Sequence, residues 1–400
     1  MCEVASLLSI EEAQSLILER VPPPEVETVR LEDAAGRVTA EAAPSRVDLP
    51  PFDSSAMDGF AVRFGDTPGR LPVVDRIAAG RPAARELRAG EAMAIATGGA
   101  VPPGADAVIP IEHVVDHDNE VEIGERVEAG ASVRPRGGDL RLGETVVEAG
   151  VRLGPARLGA LAAGGVADIL CARRPHAAIL STGTELRRPG EELEPGQIYE
   201  ANGTILAAQL SSAGAAADRL EAVEDDEGAH RAALEVGLRS DVLVTSGGVS
   251  VGPHDLVRAV GRELGVEEVL WGVAVKPGKP LWFGVRGRTL VFGLPGNPVS
   301  TLVCFELFVR PAVLALQGLA DPLPRFEPGR LAAPVRPNPV RTELVRARSS
   351  VVDGTVELDV LRGQDSHMIA AAAGADALVL VPAGTDELPA GSEVSYLRLA

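Results

Sequence analysis

The 400-residue chain reads as an α/β plus β protein of several domains. Three observations predict this. From 175 to about 319, β and α patterns alternate, which gives a doubly wound, mostly parallel sheet with helices on both faces. From 49 to about 150, short apolar runs alternate with Gly, Pro and Asp, the pattern of a small β-rich domain. After a Pro-rich linker around 321–339 comes hairpin chemistry, Val351-Val352-Asp353-Gly354-Thr355-Val356, which predicts a small β-barrel or sandwich.

The elements follow in order. Ser9-Ile10-Glu11-Glu12 is a capping box that opens a helix to about Arg20, and Val21-Pro22-Pro23-Pro24 ends it. A helix-and-strand stretch to about Pro44 joins a second one, with a helix over 153–163, in a small linking α/β region of residues 1–48 and 146–174. The first helix is free to pack elsewhere. Phe60-Ala61-Val62, Leu71-Pro72-Val73-Val74 and Ala107-Val108-Ile109 are strands of a β-rich domain over 49–145. In the α/β domain, 175–320, strands are expected at 177–180, 241–244 and 290–292. Helices are expected at 203–213, 255–264 and 299–316, the last kinked near Pro311. The terminal β domain covers 328–400.

Composition excludes several functions. A net charge of −19 leaves no broad basic face for nucleic acid or an anionic membrane. Aromatic residues are 3% of the chain, too few for stacked-base recognition, so the cores are built from Ala, Val and Leu. Cys2, Cys171 and Cys304 lie far apart and form no metal or redox pair, as expected in the reducing cytoplasm. No basic flank precedes an apolar run at the N-terminus, so no signal peptide is expected. No uninterrupted apolar run is long enough to span a membrane.

Only two lysines occur, Lys276 and Lys279, in Val275-Lys276-Pro277-Gly278-Lys279-Pro280; every other basic residue is arginine. Two compact ammonium groups beside a Pro-Gly-Pro turn suit a small, highly charged oxyanion. The alternative is that they are remnants of drift toward arginine. Three loops that follow expected strands favour the anion: Ser181-Thr182-Gly183-Thr184-Glu185, Thr245-Ser246-Gly247-Gly248-Val249-Ser250-Val251-Gly252, and Gly293-Leu294-Pro295-Gly296-Asn297-Pro298-Val299-Ser300. In an open α/β sheet, ligands bind outside the carboxyl ends of the strands. Gly247 and Gly248 let backbone N–H groups approach an anion, and a following helix adds its dipole. Asp255 is either a helix-terminal acid or, with Glu185, a carboxylate for Mg²⁺, which commonly accompanies phosphate.

In the β-rich domain, Phe52-Asp53-Ser54-Ser55-Ala56-Met57-Asp58-Gly59 is a dense acidic turn. Ala96-Thr97-Gly98-Gly99 and Arg134-Pro135-Arg136-Gly137-Gly138-Asp139 are further polar loops, the latter pairing anion donors with a carboxylate. The histidines form no zinc spacing, and His254 beside Asp255 reads as a surface or supporting group. No GxSxG elbow is present. Cys304 falls on an apolar helix face and reads as packing.

Taken together, the acidic turn from Pro51 to Gly59, Ser181-Thr182-Gly183, the Gly247-Gly248 loop, the lysine run and Gly293 to Ser300 resemble the molybdopterin molybdenumtransferases. These are molybdenum insertases, whose module also forms the C-terminal part of gephyrin. The resemblance covers essentially the whole chain. It implies an elongated four-domain subunit that forms a homodimer. It implies a reaction in which adenylylated molybdopterin and molybdate give molybdenum cofactor and AMP, with Mg²⁺ as cofactor. A separate molybdopterin adenylyltransferase and apo-molybdoenzymes are the implied partners, and the cytoplasm the implied location.

Carried over position by position, the family's functional acids match Asp58, Asp139, Glu185 and Asp255, and its functional threonine matches Thr97. Its molybdate-binding groups match Lys276, Lys279, Pro280, Ser300, Arg346 and Ser366. Pterin and phosphate contacts fall to Ser246, Gly247, Gly248, Ser250, Gly252, Pro295, Gly296 and Asn297. The metal is expected at Glu185 and Asp255, with Asp58 and Asp139 as alternatives. Thr184 and Gly138 stand where the family often has a carboxylate. Rival functions are a non-catalytic pterin carrier, a gephyrin-like peptide-binding scaffold and the related adenylyltransferase, which shares only the α/β domain.

Overall fold

A computed structural model describes residues 7–224, 226–248 and 256–399. Its centre is a six-stranded sheet, in the order Ala216–Arg219, His176–Ser181, Val242–Ser246, Thr289–Leu294, Trp282–Arg286 and Glu267–Trp271. The first four strands are parallel and the last two antiparallel. Successive side chains of a strand point to opposite faces, and the packing shows it. Ala177, Ile179, Val242, Val244, Leu290 and Phe292 enter one core. Ala178, Leu180, Leu243 and Val291 enter the other. Helix Asn202–Ser212 and the helical run from Pro298 cover the first face. Helices Glu227–Gly237 and Leu256–Glu263 cover the second. Apolar side chains on both faces explain why these strands read as unbroken hydrophobic runs.

The N-terminal helix, Ile10–Leu18, has the expected capping box. It packs on this central domain through Ile10, Ala13 and Ile17. The run over Pro298–Leu316 is the candidate membrane span among the described residues by length and composition, but 78% of it is buried inside the protein. Its irregularity lies slightly ahead of the expected kink. A π turn occupies Phe305–Val309, and Pro311 sits in the first turn of the next helix. Pro311 lacks the N–H that would bond to the Leu307 carbonyl. That carbonyl instead accepts from Gln14 Nε2 at 2.8 Å, so the orphaned group is satisfied by the N-terminal helix.

The linking region joins two distant stretches. Val26–Arg30 pairs antiparallel with Asp168–Ala172, and Ala43–Pro44 with Thr145–Val147. Val29, Leu153, Leu161 and Ile169 share its core with helix Pro155–Ala163. The main sheet of the β-rich domain has six strands, in the order Ala107–Pro110, Gly59–Val62, Ala92–Ile95, Gly69–Ile77, Glu120–Ile123 and Val114–Asp116. Gly59 is required there, because a Cβ would lie 1.9 Å from the Ile109 carbonyl oxygen. The close approach of these strands fixes the position of Asp58 immediately before it.

The C-terminal sheet closes on itself. Thr342–Val352, Thr355–Val360, Glu327–Leu331, Glu393–Arg398 and Ala377–Val381 pair in turn, and the last returns to Thr342–Val352. This is a five-stranded barrel. Asp353 and Gly354 turn its first hairpin with φ of 48° and 76°, as a type I′ turn demands. Val275–Lys276, from the central domain, adds a short parallel pairing to Thr342 and Glu343. The lysine run is thereby tied to the barrel.

Candidate active site

The three glycine loops leave the central sheet at one level. Ser181 is in register with Ser246, and Ser246 with Leu294. The strand order reverses beside His176–Ser181, so the loops stand at a topological switch point, where such folds bind ligands. Their backbones are very close. Gly247 N donates to Leu294 O at 3.1 Å, and Thr182 N to Ser246 O at 3.0 Å. Gly247 has φ of 96°, and a Cβ there would lie 2.7 Å from the Thr182 carbonyl. Only glycine fits this turn. Ser250, Gly252, His254 and Asp255 lie outside the described residues.

Glu185 is exposed. Its carboxylate folds back over Gly183, where a Cβ would lie 2.6 Å from Oε2. Beside this loop a cavity of about 590 Å³ is lined by Ser181, Arg187, Arg188, Glu200, Arg219 and Leu220, among others. Its cations are partly engaged: Arg219 pairs with the buried Glu200 at 2.6 Å, and Arg188 with Glu221 at 3.0 Å.

The lysine run lines a second cavity, of about 290 Å³, with Pro280, Pro295, Asn297, Ser300, Arg341 and Ser366. Gly278 sharpens its turn. It has φ of 118°, and a Cβ would meet Cys304 Sγ at 2.5 Å. Cys304 is fully buried, and burial pushes its thiol up to about 12, so its role is packing. The two lysines differ. Lys276 Nζ lies 3.0 Å from Glu343 Oε1, a pairing set by the strand register. Lys279 is exposed and has no carboxylate partner among the described residues.

Ser300 is 4% exposed in the first turn of helix Pro298–Cys304. Asn297 Nδ2 donates to Ser366 Oγ at 2.8 Å, and Val299 N to Ser366 O at 3.1 Å. These bonds dock the 363–368 loop of the barrel onto the central domain. The cavity thus gathers three basic side chains and two hydroxyls against one lining carboxylate, Asp365, a donor set that suits a small oxyanion.

Arg346 is placed differently from the expectation. It is 1% exposed and does not line the cavity. It donates to the carbonyls of Gly363 (2.5 Å), Asp365 (3.2 Å) and Met368 (3.3 Å), and to Gln364 Oε1 (3.3 Å). Burial holds its pKa below the usual arginine range. Its work is to support the loop that carries Ser366. The guanidinium at the cavity belongs to Arg341, five residues earlier. Arg341 lies in a bend just before strand Thr342–Val352, whereas Arg346 lies within it, so no periodicity of the sequence relates the two side chains.

In the β-rich domain, the acidic turn and both polar loops converge. Thr97 N donates to Asp58 Oδ1 at 2.7 Å, Gly98 N to Ser55 O at 2.8 Å, and Val133 pairs with Ser55. Asp58, Thr97 and Asp139 are exposed. Arg136 is engaged already: its Nε donates to Asp48, at the edge of the linking region, at 2.6 Å and its backbone N–H to Asp53 at 2.7 Å. The Leu142 backbone N–H, then Arg136, hold the Asp48 carboxyl below the usual range. No residue of this domain lines the lysine cavity.

Among the described residues, no group of three or more His, Cys, Asp or Glu is placed to hold a metal.

Comparisons with known proteins agree with this architecture. The sequence matches the "MoeA N-terminal region (domain I and II)" over residues 8–165. It matches the "Probable molybdopterin binding domain" over 178–315 and the "MoeA C-terminal region (domain IV)" over 328–399. A molybdopterin molybdenumtransferase 2 of Mycobacterium tuberculosis is 36% identical over 98% of this chain and 99% of its own. That of Bacillus subtilis is 32% identical over 100% and 96%. A crystal structure of a molybdopterin biosynthesis MoeA protein from a Pyrococcus species superposes with a TM-score of 0.82 at 33% identity, covering 98% of this chain and 99% of that one. The chain belongs to the molybdopterin molybdenumtransferase, or MoeA, family.

Proposed function

We propose that this enzyme inserts molybdenum: it takes adenylylated molybdopterin and molybdate and releases molybdenum cofactor and AMP. The observation that carries the reading is the 290 Å³ cavity, where both lysines of the chain, Ser300, Ser366 and Arg341 converge beside the Pro295–Asn297 turn. Molybdate is a dianion with four acceptor oxygens. Lys279, free of a carboxylate partner, supplies a full charge. Lys276, shared with Glu343, supplies part of one and chiefly orients the run. Arg341 takes the anion-binding role first expected of Arg346.

The pterin nucleotide lies across the glycine loops, with its phosphates on the N–H groups of Gly248, Gly296 and Asn297, while the Gly247 N–H is committed to the Leu294 carbonyl. The neighbouring 590 Å³ cavity has room for an organic portion of the substrate. Ser246 ends the strand that carries the second of these loops, and Ser250, Gly252 and Asp255, which follow it in the sequence, are proposed as further contacts. Carboxylates suited to Mg²⁺ are Glu185 and Asp255 on the central domain and Asp58 and Asp139 on the β-rich domain; the ion would neutralise phosphate charge during cleavage of the phosphoanhydride. The protein's own part is to hold both substrates and fix charges where they develop.

Thr97 holds Asp58 through its backbone N–H. Because no β-rich residue reaches the lysine cavity, Asp58, Thr97 and Asp139 complete the site from a second copy in a homodimer. The deciding experiment is AMP release from adenylylated molybdopterin, with and without molybdate and Mg²⁺. Release that depends on both ions supports the reading. Binding of the pterin nucleotide with no release under any condition would show a carrier instead.

A further inference from the structure

Asn202 opens helix Asn202–Ser212 and belongs to none of the motifs above. Its Nδ2 donates to Ser246 Oγ and to Gly296 O, both at 2.7 Å. A backbone carbonyl only accepts, so Gly296 fixes which end of the amide is nitrogen. The two acceptors sit on different anion loops. Among the described residues the backbone supplies one bond between these loops, from Gly247 to Leu294, and the Asn202 amide adds a further tie. At the other end of the amide, Oδ1 is buried and has no donor among the described residues. Buried polar atoms are almost always paired. This acceptor therefore stands ready for a donor that a ligand brings.

The chemistry of that ligand is restricted. Molybdate and ionised phosphate carry only acceptors and cannot satisfy Oδ1. A pterin N–H or amino group, or a hydroxyl of the nucleoside, can. We infer that Asn202 is a substrate-binding residue for the organic part of the pterin nucleotide: Nδ2 sets the spacing of the two loops, and Oδ1 accepts from the substrate. This rests on the molybdenum-insertion reading.

The test is steady-state AMP release by the full-length protein, with each substrate varied separately. Asn202→Ala should raise KM for adenylylated molybdopterin about tenfold or more, the effect of losing one or two hydrogen bonds. KM for molybdate should change less than twofold. Ser246→Ala should raise the pterin-nucleotide KM in the parent but add little in the Asn202→Ala background, since both remove the same tie. Asn202→Asp fills the same space and guards against a folding defect. It should shift the same KM, because a carboxylate cannot donate to Gly296. An unchanged pterin-nucleotide KM, or an equal rise in both KM values, would overturn the inference. Absence of AMP release in the parent would instead overturn the reading on which it rests.

Discussion

Replacing Arg341 and Arg346 separately by alanine tests the geometry of the oxyanion cavity, because Arg341 lines it and Arg346 is buried against the 363–368 loop. Arg346 is 1% exposed and donates to three loop carbonyls and Gln364. A hydrogen bond of this kind contributes about 1 kcal/mol net, and more when one partner is charged. Truncation also leaves buried carbonyls unpaired. Arg346→Ala should therefore cost about 4 kcal/mol, read as a lower urea midpoint for the barrel. Arg341 lines the cavity, and no side-chain ion pair ties it to the protein among the described residues. Its loss removes one charge-assisted contact, about 1.5–3 kcal/mol, or roughly ten- to a hundredfold in KM for molybdate. The urea midpoint should stay within the error of the parent. Both arms are read by AMP release against molybdate concentration and by urea unfolding. If Arg346→Ala proves as stable as the parent yet fails with molybdate, while Arg341→Ala is unaffected, the assignment is wrong.

Three further outcomes are expected. Lys279→Ala should raise KM for molybdate more than Lys276→Ala, since only Lys276 already shares its charge with Glu343 at 3.0 Å; equal molybdate dependence in both variants and the parent would remove the lysines from the site. Cys304, with its thiol pushed up to about 12 by burial, should resist iodoacetamide at pH 8 in the folded protein and react after unfolding, as peptide mass spectrometry would show. Asp241 makes a two-pronged pair with Arg173 at 2.8 and 3.1 Å. Burial alone would raise its carboxyl, but Arg173 and the His176 backbone N–H outweigh burial and hold it below the usual aspartate range. A depressed folded pKa stabilises above the unfolded value and is lost as pH falls through the folded one. Asp241→Asn should thus cost about 1 kcal/mol at pH 7, allowing for screening of the partly exposed pair, and the difference should fade as pH falls through the folded-state pKa of Asp241.

Much of the site was legible in the chain because local chemistry dictates it. Gly247, Gly278 and Gly59 occupy positions where a side chain would collide with backbone or with Cys304, so the residue type itself reports the turn. Alternating β and α patterns announced the central sheet, and parallel order follows from them. The capping box at Ser9 needed no tertiary context, and the Asp353-Gly354 turn named its hairpin. The π turn was less legible. Pro311 warned of a break, but its position depended on Gln14, almost three hundred residues away, which satisfies the Leu307 carbonyl.

By itself, then, the sequence determined the presence of two isolated ammonium groups, three anion loops and their placement at the ends of strands. Only tertiary structure decided how those groups share charge and which arginine joins them. Arg341 and Arg346 are chemically equal in a linear reading. The pairing of Val275–Lys276 with Thr342 and Glu343 sets Glu343 against one lysine and brings Arg341, in the bend just before that strand, to the cavity, while Arg346 lies against the 363–368 loop. That pairing joins segments from two domains. Its register depends on how the barrel docks against the central sheet, which no local periodicity encodes.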